Sequence, residues 1–205
     1  MNPERPAKGP RIWQIVVMVL VVGVVGGWLA RTYLPEAHPD RGSVDVGFLH
    51  DMTTHHQQAV QMGLVYQQRG VDPMLGHMAR EIVTSQSAEI GIFNHILGGW
   101  DEQDPPEPSM AWMGRGMVGH SMPGMATPAQ VDALEQLSGA ELDDEFSRLM
   151  IAHHAGGLAM AEYATANATN AEIRSRARAI VEGQRSEISE INSRRRQLGL
   201  EPVVP

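Results

Sequence analysis

One gapless self-match fixes most of what this chain can fold into. Shifted by 98 residues, the distance from His55 to His153, the sequence falls on itself: Phe48, Met52, His55, His56 and Met62 meet Phe146, Met150, His153, His154 and Met160. The match continues where Ala79, Arg80, Ile82, Val83, Gln86, Glu89 and Ile90 meet Ala177, Arg178, Ile180, Val181, Gln184, Glu187 and Ile188. A repeat of this length is a duplicated supersecondary unit.

Spacing within each copy is helical. Val46, Leu49, Met52, His56, Ala59 and Gly63 recur at three- and four-residue steps. Asp72-Pro73 then reads as an N-cap followed by proline at the first helical position. A second stripe, Leu75, Met78, Ile82, Gln86, Glu89, Phe93 and Ile96, ends at Gly98-Gly99. In the other copy, Ser138 and Glu141 have the spacing of a capping box. The stripe Phe146, Met150, His153, Gly157 and Ala161 follows, then Ile173, Ala177, Ile180, Gln184, Glu187, Ile191 and Leu198, closed by Gly199 and Pro202. No strand-like alternation of any length occurs. Two hairpins, residues 44–98 and 128–200, that bury their stripes against each other predict an all-α four-helix bundle. Residues 99–127 form a Met/Gly/Pro-rich crossover, and a connection that long without periodicity is functional or disordered.

Ahead of the repeat lies an uncharged run, Ile12–Ala30. At ~1.5 Å rise per residue it spans ~28 Å, near the hydrocarbon thickness of a bilayer. Arg5, Lys8 and Arg11 precede it, and Trp13 and Trp28 sit where interfacial aromatics belong. The expectation is a single-pass anchor over 12–30, a basic cytoplasmic tail over 1–11, a tether over 31–43 and a bundle on the extracytoplasmic side of the cell membrane. A cleavable signal peptide is the rival, but cleavage after Ala30 would place Trp28 where a small residue is wanted.

The duplicated motif carries the chemistry. With about 100° per residue and Met52 at zero, His55 falls near −60°, His56 near +40° and Met62 near −80°. The same arithmetic holds for Met150, His153, His154 and Met160, so two imidazoles and two thioethers of each copy share a core-facing side. Glu89 and Glu187 also lie in apolar stripes, where a carboxylate is costly unless bonded. They read as partners that orient metal-binding histidines, or as direct ligands. Against this stand two plainer readings: methionines that only fill the core, and histidines that only bond to core carboxylates.

The chain has no cysteine, which excludes disulfides and thiolate sites, and its net charge of −8 argues against nucleic acid as a partner. In the crossover, Met110, Met113, Met117, Met122 and Met125 surround His120. A Gly-rich loop offers methionine no core, and thioethers are soft donors that suit Cu(I) while resisting disulfide formation outside the cytoplasm. Copper is therefore the expected ion, with Cu(I) favoured. A disordered tether or a Met-rich contact surface is the alternative for this loop. Zinc gains little from thioethers. A di-iron carboxylate site would use Glu-x-x-His, which occurs nowhere in the chain. Ser/His/Asp catalysis and phosphate-loop signatures are likewise missing.

The doubled His-His motif, with its flanking Phe and Met and the following "AR.IV..Q..EI" helix, resembles the DUF305 family over about residues 44–198. The resemblance implies a ferritin-like, duplicated helical-hairpin fold, and some members are exported proteins implicated in copper binding or resistance. It touches Met52, His55, His56, Met62, Met150, His153, His154, Met160, Gln86, Glu89, Gln184 and Glu187, and leaves out the crossover methionines. Where the second copy has Leu149, the first has Asp51, a candidate further ligand near the first pair. The sequence thus reads as a membrane-anchored, exported copper-binding protein that buffers or delivers the ion and is not an enzyme. A non-enzymatic interaction subunit of a membrane complex, with a structural His–Glu core, is the alternative. A ferritin-like redox enzyme comes last.

Overall fold

The computed structural model describes residues 12–33, 38–114 and 122–204. Among these, every regular element is helical: α1 (Ile12–Tyr33), α2 (Val44–Arg69), α3 (Pro73–Gly99), a 3-10 turn at Ala111–Met113, α4 (Pro128–Gln136), α5 (Gly139–Asn167) and α6 (Ala171–Gln197). The chain divides into two compact units, Met1–His38 and Pro39–Pro205. The first holds α1, whose side chains over residues 12–27 are exposed. Among the described residues no helix is long and apolar enough to cross a membrane, so the span expected over 12–30 is not shown. The tail 1–11 lies outside the described residues.

In the second unit α2 packs on α3 and α5 on α6; α2 also packs along α5, and α3 touches α6. The result is the four-helix bundle that the two stripes require. Local chemistry sets the helix starts. Ser43 accepts from the Val46 N–H, Asp72 from those of Met74 and Leu75, and Asn170 from those of Glu172 and Ile173. The capping box expected at Ser138 and Glu141 is not formed. The chain enters α5 through Gly139 in the left-handed region at φ 63°, and Ser138 makes no side-chain cap. A capping box instead joins Thr127 and Gln130 at the start of the short helix α4, which the repeat does not contain.

The hairpins are clasped reciprocally. The buried carboxylate of Asp45, in the first turn of α2, accepts from the Thr169 N–H (3.0 Å), the Thr169 hydroxyl (2.7 Å) and the Asn170 N–H (2.9 Å) in the α5–α6 turn. Asp143, its equivalent in α5, accepts from the N–H groups of Val71 (3.1 Å) and Asp72 (3.4 Å) in the α2–α3 turn, and from the Tyr66 hydroxyl (2.5 Å). Each hairpin thereby supplies the acid that holds the other's turn, which sets α5 antiparallel to α2. These turn N–H groups would otherwise be left without partners against the bundle, a cost of about 1–3 kcal/mol each. The pair lies in register in the repeat, 45 against 143, but the apolar stripes carry no sign of it.

The same antiparallel order obliges the connection from α3 to α5 to run the length of the bundle, and the described residues of the crossover and α4 make contacts along α2. His50 bonds the Glu102 carbonyl, and Asp51 accepts from Ser109, Met110 and Trp112. Gln58 exchanges two bonds with the backbone of Ala126, and Arg69 reaches the Glu135 carbonyl. Two glycines make the contact close. A Cβ on Gly47 would stand 2.4 Å from the Trp112 ring, and one on Gly156 would stand 1.8 Å from the Pro123 carbonyl oxygen.

Candidate metal centre

The paired histidines straddle the face on which α2 meets α5. Successive helical residues are about 100° apart, so each pair brackets the interface with one ring to either side. His55, His56, His153 and His154 are all fully buried. The rings of His55 and His153 lie face to face across the interface, 3.7 Å between centroids and 36° from parallel. His154 stands beside His153 with centroids 6.1 Å apart. From the outer helices, Glu89 on α3 brings its carboxylate to 2.7 Å from His56 Nε2, and Glu187 on α6 brings its own to 2.7 Å from His154 Nε2. Gln86 and Gln184, one turn earlier on the same helices, are also buried.

Burial decides the charge of the two stacked rings. It pushes His55 down to about 3, helped by the charges of His56 and His154 and opposed by the bond to the Pro123 carbonyl. His153 is held well below the ordinary histidine range, first by burial and then by His55, His154 and His56, with a contact to the His55 backbone working the other way. Both rings are therefore neutral at pH 7 and have a lone pair to offer without a proton to displace.

The outer partners select which nitrogen that is. His55 Nε2–H donates to the Pro123 carbonyl at 3.2 Å, and His56 Nε2–H donates to Glu89. That leaves Nδ1 of each ring buried without a partner. His154 is held near Glu187 by its Nε2, off the line of a good hydrogen bond, and its Nδ1 is also unpartnered. His153 has no hydrogen-bond partner on either nitrogen. A histidine whose outer N–H is held by a carboxylate or carbonyl, with the inner nitrogen bare, is the usual arrangement behind a metal ligand.

Thioethers flank this polar layer on both sides. Met52 and Met160 lie in one fully buried apolar cluster with Phe48 and Phe93; Met62 and Met150 lie in another with Phe146 and Leu142. Each cluster so takes the upstream methionine of one repeat and the downstream methionine of the other.

The remaining candidates are placed differently. The Asp51 carboxylate is taken up by the crossover, accepting from the Ser109 hydroxyl, the Met110 N–H and the Trp112 indole, so it is not brought to the histidines. Met110 is only 2 % exposed, contrary to the expectation that a loop methionine has no core to enter. Trp112, drawn down by Asp51 over Gly47, makes that core. Met113 and Met122 pack against the same cluster half-buried, and Met125 is half-buried too. Met117 and His120 lie outside the described residues.

One participant was not legible in the sequence: the Pro123 carbonyl is a backbone group and has no residue-type signal. Among the described residues no three His, Asp or Glu side chains stand grouped as a ready-made site. By donor type, neutral imidazole nitrogens flanked by apolar clusters that contain thioethers suit a soft ion such as Cu(I) better than zinc or calcium.

The model of a family described as a domain of unknown function, DUF305, matches residues 45–194. No match was found among curated proteins. Among solved structures, a DUF305 protein from Streptomyces coelicolor is 33% identical over 81% of this chain and 100% of its own, with a TM-score of 0.76. A DUF305 fragment from Deinococcus radiodurans is 31% identical over 73% and 93%, with a TM-score of 0.62. CopM in its Cu(II)-bound form is 28% identical over 76% and 97%, with a TM-score of 0.62. CopM has also been solved with Cu(I) and with Ag.

Proposed function

Since the chain belongs to the DUF305 family, we propose that it is a copper-binding protein, tethered outside the cytoplasm by its N-terminal helix, that buffers or delivers the ion and turns over no substrate. One observation carries this reading: four fully buried imidazoles meet at the centre of the bundle with five ring nitrogens left bare, even when His154 Nε2 is counted as served by its 2.7 Å contact with Glu187. A fold that only needed a core would not bury them so, because each unpaired polar group costs about 1–3 kcal/mol. The similarity to CopM, solved with copper in two oxidation states, supports copper as the ion. The uncharged run Ile12–Ala30 and its basic flank support the anchor. The acidic surface favours the approach of cations.

When bound, copper would supply only its own coordination and redox chemistry. The chain's part is to hold neutral imidazoles, fix their tautomers through Glu89, Glu187 and the Pro123 carbonyl, and keep water away. A competition titration with a colorimetric Cu(I) chelator tests this. The wild-type chain is expected to retain at least one Cu(I), and the His55/His56/His153/His154→Ala variant to lose it. Copper stoichiometry unchanged in that variant removes the bundle site. Replacing Met113, Met117, Met122 and Met125 by Leu measures the crossover's share separately. Fractionation of cells expressing the full chain tests the anchor, which a soluble mature form would overturn.

A second reading, an interaction subunit with a structural His–Glu core, is favoured by the His56–Glu89 and His154–Glu187 contacts. It expects no copper at micromolar concentration and an unchanged fold in metal-free buffer.

A further inference from the structure

The two halves of the histidine cluster are equivalent by repeat but not by hydrogen bonding. Two of the four rings donate to an outer acceptor, His55 to Pro123 and His56 to Glu89, and His154 has the Glu187 carboxylate 2.7 Å from its Nε2. His153 has no such partner. One buried acceptor is correspondingly unused. Gln184 is 3 % exposed, and both its amide oxygen and its amide nitrogen lack a partner.

Sequence places these two within reach. Gly157 is one helical turn after His153 on the same face of α5, and a Cβ there would stand 2.5 Å from Gln184 Oε1. The glycine therefore lets the amide of Gln184 lie directly on α5, one turn from the unpartnered ring. The first repeat has Ala59 at the matching position. There the Pro123 carbonyl serves His55 instead, and the buried amide oxygen of Gln86 is likewise unpartnered. With Gln86, Glu89, Gly183 and Glu187, Gln184 also borders a cleft of about 120 Å³ between α3 and α6, the side of the bundle opposite the crossover.

We infer that Gln184 is the positioning residue for His153: when the cluster takes up a soft ion, the His153 ring turns one nitrogen to the ion and donates its other N–H to Gln184 Oε1. This rests on the histidine cluster being the copper site. Its consequence is that the α5–α6 half depends on a glutamine where the α2–α3 half depends on the crossover backbone.

Two measurements on the full chain test it. In a Cu(I) competition titration, Gln184→Leu is expected to weaken binding about 10-fold or more, the usual effect of removing such an outer partner. Gln86→Leu is expected to stay within about 3-fold, and Gln184→Glu, which keeps an acceptor oxygen, to recover most of the loss. The metal-free Gln184→Leu protein should melt no lower than wild type, because it loses only an unpaired amide. In nitrogen-15 NMR with Ag(I) as a diamagnetic probe, a protected ring N–H of His153 should emerge on loading in wild type and be missing in Gln184→Leu. Equal losses in the two leucine variants, or no His153 N–H on loading, overturn the assignment while leaving the copper site in place. A wild-type chain that binds neither ion overturns both.

Discussion

The two hairpins share what joins them and differ in what each presents to the crossover. Asp45 and Asp143 close the same clasp from opposite ends, and the His-His and Gln-x-x-Glu sets face each other across the interface. Along α2, however, the first hairpin reaches out to the crossover with Asp51 and Gln58. The second has Leu149 and Gly156 at those positions. At these positions one hairpin grips the connecting segment with polar side chains, while the other offers it none. Duplication therefore preserved the clasp and the polar centre, and divergence was concentrated where a single chain must lay one connection over a twofold arrangement.

Acid should produce the largest effect, and it should draw on both halves. His55 and His153 are neutral when folded and titrate near 6.5 when unfolded, so the unfolded state binds more protons below that pH. Their contribution to stability is complete above pH 6.5 and falls by about 1.4 kcal/mol per pH unit for each ring as pH drops towards the folded value, about 3 for His55. Urea denaturation of metal-free protein between pH 7.5 and 4.5 reads this directly. A flat profile would mean that the rings are not desolvated.

Breaking the clasp comes next. Asp45→Ala and Asp143→Ala should each cost about 3 kcal/mol in chemical denaturation, since each strips two turn N–H groups and a hydroxyl of their acceptor. Clearly unequal losses would show that the reciprocity is geometric only. On the crossover the halves should then part company. Gly156→Ala drives a methyl into the Pro123 carbonyl and should cost about 2 kcal/mol, whereas Gln58→Ala gives up two hydrogen bonds to Ala126 at about 1 kcal/mol. Thermal melts that rank them the other way would place the main attachment on α2. The smallest difference lies within the clasp itself: Tyr66→Phe and Thr169→Val each remove one hydroxyl donor, at about 1 kcal/mol apiece.

The sequence made the helices and the polar centre legible because both follow from periodicity. His55, His56, Glu89 and their repeats lie on stripes that must be buried, so their meeting is decided by the wheel. The crossover was opaque for the opposite reason. Whether Met110 enters the core depends on Asp51 drawing Trp112 over Gly47, a three-body contact between distant segments that no local pattern encodes. Asp51 illustrates the same limit: a carboxylate next to a candidate ligand pair looked like a donor and is instead an anchor for three crossover groups. The family match over residues 45–194 identifies the fold, and it leaves the partition of roles between the halves to be argued from the contacts.

The crossed placement of Asp45 and Asp143 bears on how such a chain could have arisen. A polypeptide carrying only one hairpin would possess an acid with no turn to hold and a turn with no acid to hold it. Two identical copies related by a dyad would satisfy each other at both ends at once. Separate hairpins paired in this way would need no connection between them, whereas a single chain needs a strap long enough to travel from one pole to the other.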